Sequence, residues 1–259
     1  MGHIRLGRIP KTKQWKNLFR LLEGSGIDAN ALAREVSSTA QTTLLSSEAN
    51  PAAHYCFWLL TRLAAASRAK DFRQELAKIG IQAETARSGV ELLAAISSAS
   101  EKEVRRRGTG SVLDQVAELA FRETLSHRIA ENAHGLFGSG VEEVQSACRE
   151  ISTQKTFGRV AGEFFARFLS RSIKLVVDKE ISNHIGPGKA LSSTESAAQL
   201  GRDVDRYCTE TSQIVQDFAG GWFSKHNWQS KGEIPERDVS GFVAHAFEKL
   251  QMDLKKGQE

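Results

Sequence analysis

Residues 156–177, TFGRVAGEFFARFLSRSIKLVV, decide how this chain is read. Phe157, Ala161, Phe164, Phe168 and Leu175 recur at intervals of three and four, the repeat that gathers apolar side chains along one side of an α-helix. Gly158, Gly162, Ala166 and Ser170 form a second line at intervals of four, narrow enough for another helix to approach closely. Arg159, Glu163 and Arg167 interrupt the stretch, so it belongs to a water-exposed bundle and not to a membrane span.

The same period extends outward in both directions. Ala197, Leu200, Val204, Tyr207, Cys208, Thr211, Ile214, Val215 and Phe218 share one face of a predicted helix over about 195–223. A short connection through Gly186, Pro187 and Gly188 makes that helix the antiparallel neighbour of the first. A closing helix over about 236–256 carries Val239, Phe242, Val243, Phe247 and Leu250. Earlier in the chain the spacing predicts helices over about 11–23, 28–46, 51–67, 70–79, 88–107, 111–134 and 141–151. All four prolines lie at segment edges, and alternating β-branched runs are missing. The expected fold is all-α, a multi-helix bundle of about nine or ten helices with two long antiparallel helices in the C-terminal half. Its expected divisions are an extended basic arm over 1–10, a helical subdomain over 11–107 and a bundle over 111–259, with Gly108-Thr109-Gly110 read as a hinge; the alternative is that the last two form one continuous domain.

Composition narrows the classes of function. A chain of 259 residues buries enough surface to fold without disulfides or metal. Cys56, Cys148 and Cys208 are odd in number and widely spaced, which fits a reducing, cytoplasmic compartment. No apolar run is long enough to span a bilayer. The charge is unevenly placed. Arg5, Arg8, Lys11, Lys13, Lys16 and Arg20 all precede the first acidic residue, Glu23; they supply +6 of charge, and the rest of the chain carries −2 of the net +4. A block of one sign is an interaction segment more often than a solubility device. Trp15, Leu18, Phe19 and Leu22 make residues 11–22 a basic amphipathic helix, and Ile4, Leu6 and Ile9 alternate with cations before it. Nucleic acid, an anionic membrane surface and an acidic groove of another protein all suit such a segment.

Other motifs are less specific. Glu123, His127, Glu131 and His134 fall four, four and three apart, which places carboxylates and imidazoles on one helix face as a metal site in a bundle would. A solvated face with Glu to His pairing explains the same residues. The glycines at 135, 138 and 140 resemble a phosphate-cradling loop, but no Lys-Ser or Lys-Thr follows, and Glu142 and Glu143 would repel phosphate; a helix-to-helix loop is expected. Arg105, Arg106 and Arg107 end a helix, where cations favour its dipole. The segment FAGGWFSKHNW, residues 218–228, surrounds two glycines with aromatic rings. It reads either as close packing at a bundle end or as an aromatic pocket with a cationic rim, built from Phe218, Trp222, Phe223, Lys225, His226 and Trp228. No cofactor is called for. The expected function is a non-enzymatic interaction subunit of a cytoplasmic assembly that holds an acidic protein or nucleic acid through its basic arm. The alternative is a metal-dependent helical-bundle enzyme using the Glu and His line.

Overall fold

A computed structural model describes residues 50–132, 140–181, 185–187 and 191–256. The basic segment and the helices expected over 11–46 lie outside these residues. Nine helices make up the described chain: α1 Pro51–Ala66, α2 Phe72–Lys78, α3 Gly89–Arg107, α4 Val112–Asn132, α5 Val141–Ile151, α6 Gln154–Ile181, α7 Thr194–Thr211, α8 Gln213–Gln229 and α9 Glu236–Lys256. No strand occurs among the described residues, only an isolated bridge between Ile185 and Leu191. The all-α bundle read from the periodicity is the fold. Among the described residues no helix is long and apolar enough to cross a membrane.

The helix starts follow their local chemistry. Pro51 opens α1, where its missing N–H costs nothing. Asp71 accepts the Gln74 N–H at the start of α2, and Ser88 accepts the Glu91 N–H at the start of α3. At α4 the Asp114 carboxylate reaches back to the Ser111 N–H at 3.0 Å. That carboxylate also explains Gly108, since a Cβ there would lie 2.6 Å from Asp114 Oδ2. Gly110 sits at φ +72°, a conformation glycine adopts without strain. Gly108, Thr109 and Gly110 form the turn between α3 and α4, with Thr109 and Gly110 exposed.

Helix α1 occupies the centre. Twelve of its sixteen residues are buried, so it is covered on all sides and not along a single stripe. Phe57 meets Phe157, Phe164, Phe165 and Phe242 at ring distances of 5.0–5.9 Å, joining α1 to α6 and α9. Its last carbonyls are met by α5: Gln145 Nε2 and Arg149 donate to the Ser67 oxygen. One apolar cluster extends from Ala52 to Leu250 and includes residues on both sides of the Gly108–Gly110 turn.

The small-residue line of α6 packs as expected. Gly158 and Gly162 face the first turn of α8, Ser170 bonds Asp205 on α7, and Lys174 reaches the same carboxylate at 2.6 Å. As α6 advances, its partners recede in number, so it runs antiparallel to α7 and α8. One detail differs from the sequence reading. The helix expected over 195–223 is divided at Ser212, a turn residue at φ −74° and ψ −5° between α7 and α8, and helix continues to Gln229.

Candidate functional site

The Glu and His line sits on α4 where α6 crosses it. Glu123, His127 and Glu131 share a face, as their spacing predicts; His134 lies outside the described residues. Each carboxylate is engaged by arginine. Glu123 accepts Arg171 Nε at 2.9 Å, with a second bond from the same guanidinium, and lies 3.7 Å from Arg167. Glu163 on α6 is the centre of the array: Arg167 lies 2.6 Å away, His127 Nδ1 lies 2.7 Å away, and Arg128 closes a further ion pair. Arg128 also pairs with Glu131. Among the described residues no three His, Cys, Asp or Glu side chains gather as metal ligands would. A cation arriving at Glu123 would have to displace two guanidinium groups that already neutralise it.

These residues line a groove of about 670 Å³ between α4, α6 and the α7 to α8 junction. Arg159, Glu163, Arg167 and Arg171 are four apart on α6, so their shared face was legible in the sequence. Their pairing with α4 depends on how two helices cross and was not. Arg159 is exposed at the edge of the groove.

The other motifs resolve individually. Glu143 accepts the Gly140 N–H and thereby caps α5, so that helix start is occupied by its own carboxylate; Gly135 and Gly138 lie outside the described residues. The three cysteines are buried and free. Burial pushes the Cys148 thiol up to about 12 and raises Cys56 and Cys208 as well, so all three stay protonated at neutral pH.

Arg105, Arg106 and Arg107 end α3 beside Glu101 and Glu103. Arg107 also pairs with Glu236 and lies 4.7 Å from the Tyr55 ring centroid, which ties α3 to α9 and α1. Hydrogen bonds from Arg106 and Arg107 hold the Glu103 carboxyl at about 2, below its ordinary 4.5. A depressed carboxylate stabilises the fold fully above the unfolded value, and that contribution disappears as pH falls from about 4.5 towards about 2. The melting temperature is therefore expected to fall more steeply between pH 5 and pH 2 in the native chain than in Glu103→Gln. Parallel slopes would show that these ion pairs contribute nothing.

The aromatic segment divides between core and surface. Phe223 is buried and stacks on Phe157 at 4.0 Å. Phe218 lies against Phe242 and His245, and Trp222 is held between Phe242 and His226. The two glycines have different reasons. A Cβ on Gly220 would stand 2.2 Å from the Gln154 carbonyl oxygen, whereas one on Gly221 would meet nothing within 4 Å. Close packing explains Gly220 and the three inward rings. Lys225 is exposed, and Trp228, the last aromatic, is 82 % exposed. The six residues thus do not enclose one pocket.

Trp228 instead borders a second groove, of about 800 Å³, between the end of α1, α2 and the turn after α8. Sequence reasoning missed its other walls, Arg62, Lys78 and Lys231, because they come from three separate segments. The one available signal was the Lys231-Gly232 pair after a helix, a turn composition. No family model matches this chain, and comparison with curated proteins and with solved structures returned no match, so the functional reading rests on the residues themselves.

Proposed function

We propose that this protein is a helical interaction subunit that holds an acidic surface of another protein through its basic residues 1–20. The observation that carries the reading is the segregation of charge: Arg5, Arg8, Lys11, Lys13, Lys16 and Arg20 supply more than the whole net charge, while the remainder of the chain is slightly acidic. Such a block attracts an anionic partner and speeds encounter with it. A protein groove is favoured over duplex nucleic acid because Ile4, Leu6 and Ile9 alternate with the cations, and apolar contacts add affinity that salt does not screen. The charged groove on α4 and α6 is consistent with a structural role, since its carboxylates and guanidinium groups neutralise one another.

The test compares salt responses. If about five phosphates were neutralised on duplex DNA, raising salt from 50 to 200 mM would weaken binding about 500-fold. Little duplex binding at 50 mM is expected. Deleting residues 1–10, or reversing charge at Lys11, Lys13 and Lys16, should leave the melting temperature nearly unchanged while reducing the protein partner retained on the immobilised chain. Sub-micromolar duplex binding with a steep salt slope would overturn the protein-partner reading, and partner retention unchanged by either variant would overturn the role of residues 1–20.

A further inference from the structure

The second groove combines two chemistries that a nucleotide uses together, a stacking surface and a cationic lining. Trp228 offers an indole face to solvent at 82 % exposure, far from the buried state usual for this residue. In the same lining Arg62 is only 8 % exposed, and its Nη1 donates to the Gly232 carbonyl at 2.9 Å. Asn227 lines the same groove, although its Oδ1 is buried below the surface. Arg62 Nε lies below the accessible surface of the groove as well, so Arg62 contributes its positive charge and not a free hydrogen bond at Nε.

Lys231 adds a cation in an unusual setting. It occupies φ +53°, a left-handed conformation that glycine ordinarily fills, and Gly232 follows at φ +92°. The Gly232 N–H donates to the Asn227 main-chain carbonyl at 2.9 Å, and the Gly232 carbonyl accepts from Arg62, so the turn is fixed from both sides. Of the other charged residues lining the groove, Arg68 is committed to Ser152 and Lys78 to Glu75. Glu233 is the remaining carboxylate. Cations therefore outnumber anions four to two around the groove.

We propose that this groove binds a nucleotide unit, with the base stacked on Trp228 and the phosphate held by Lys231 in the positive field of Arg62. Its volume falls within the range of small-ligand sites, and stacking with adjacent cations is how proteins grip bases without reading sequence. Free nucleotides and nucleotides within single strands present the same chemistry. The proposal goes beyond the interaction role above and uses no residue of the basic segment, so either reading can fail alone.

Isothermal titration calorimetry of the full chain with adenosine 5′-monophosphate and with a twelve-nucleotide single-stranded oligothymidine tests it. At least one probe is expected to bind saturably: the mononucleotide if the ligand is free, the oligonucleotide alone if it is a strand. Trp228→Ala should weaken that binding at least tenfold, and Trp228→Phe, which retains a stacking face, should weaken it less. Lys231→Gly should weaken it about threefold or more while the melting temperature holds or rises, because glycine relaxes the left-handed turn. Failure of both probes, or affinity unchanged in Trp228→Ala and Lys231→Gly, overturns the site. So does equal competition by a polyglutamate peptide of matched charge, which would reduce the groove to a patch of charge.

Discussion

Alanine at Gly220 is expected to destabilise the protein by about 2–3 kcal/mol, while alanine one residue later, at Gly221, should stabilise it by about 0.5–1 kcal/mol. Both glycines lie inside α8, so both substitutions gain the same helix propensity. They differ only in what the added methyl group meets. At Gly220 it would stand 2.2 Å from a backbone oxygen of Gln154, at the start of α6, and a helix end moves less readily than a flexible side chain. At Gly221 no atom lies within 4 Å. Urea denaturation of the two variants checks the pair. Equal effects would mean that α6 and α8 do not approach as described. Gly158 obeys the same logic, its Cβ falling 2.7 Å from the Gln216 oxygen, whereas Gly162 is less restrictive at 3.2 Å from a side-chain carbon.

Removing the Glu163 carboxylate is the second large effect. Glu163→Ala should cost about 3 kcal/mol, because Glu163 is 14 % exposed in its side chain, Arg128 is 8 % exposed, and the loss leaves that buried guanidinium with the more exposed Glu131 as counter-charge. Arg167 and His127 lose their nearest carboxylate at the same time. Glu195→Ala is the control. Its pair with Arg202 is exposed on the surface of α7, where an ion pair contributes less than about 1 kcal/mol. If Glu163→Ala were as mild as Glu195→Ala, the groove between α4 and α6 would be solvated, and its charges would be available to a ligand instead of to each other.

The two experiments separate what is local from what is tertiary. Helix identity is local: the three- and four-residue spacing of Phe157, Ala161, Phe164 and Phe168 was sufficient to place α6, and the helix expected over 88–107 starts where Ser88 accepts the Glu91 N–H. These features depend on residues within one or two turns of each other, so the chain order contains them. The same holds for the caution about the glycines at 135–140, since Glu143 reaches its own helix start across three residues.

Partnership was decided elsewhere. That Glu123 meets Arg171, 48 residues away, depends on the crossing of α4 and α6, which apolar periodicity leaves open because any apolar stripe can pack on another. Periodicity likewise did not show the interruption at Ser212, since the apolar spacing continues across it. The aromatic segment shows the division within eleven residues: composition announced that Phe218, Trp222, Phe223 and Trp228 were unusual together, yet only the packing of α8 on α6 and α9 sent three inward and left Trp228 in solvent beside Arg62 and Lys231. From its sequence alone the protein is an all-helical bundle with one strongly basic segment, because turn chemistry and the 3.6-residue repeat act over short distances. Which charges neutralise one another and which ring faces outward were settled by tertiary structure, because those outcomes depend on surfaces brought together from distant parts of the chain.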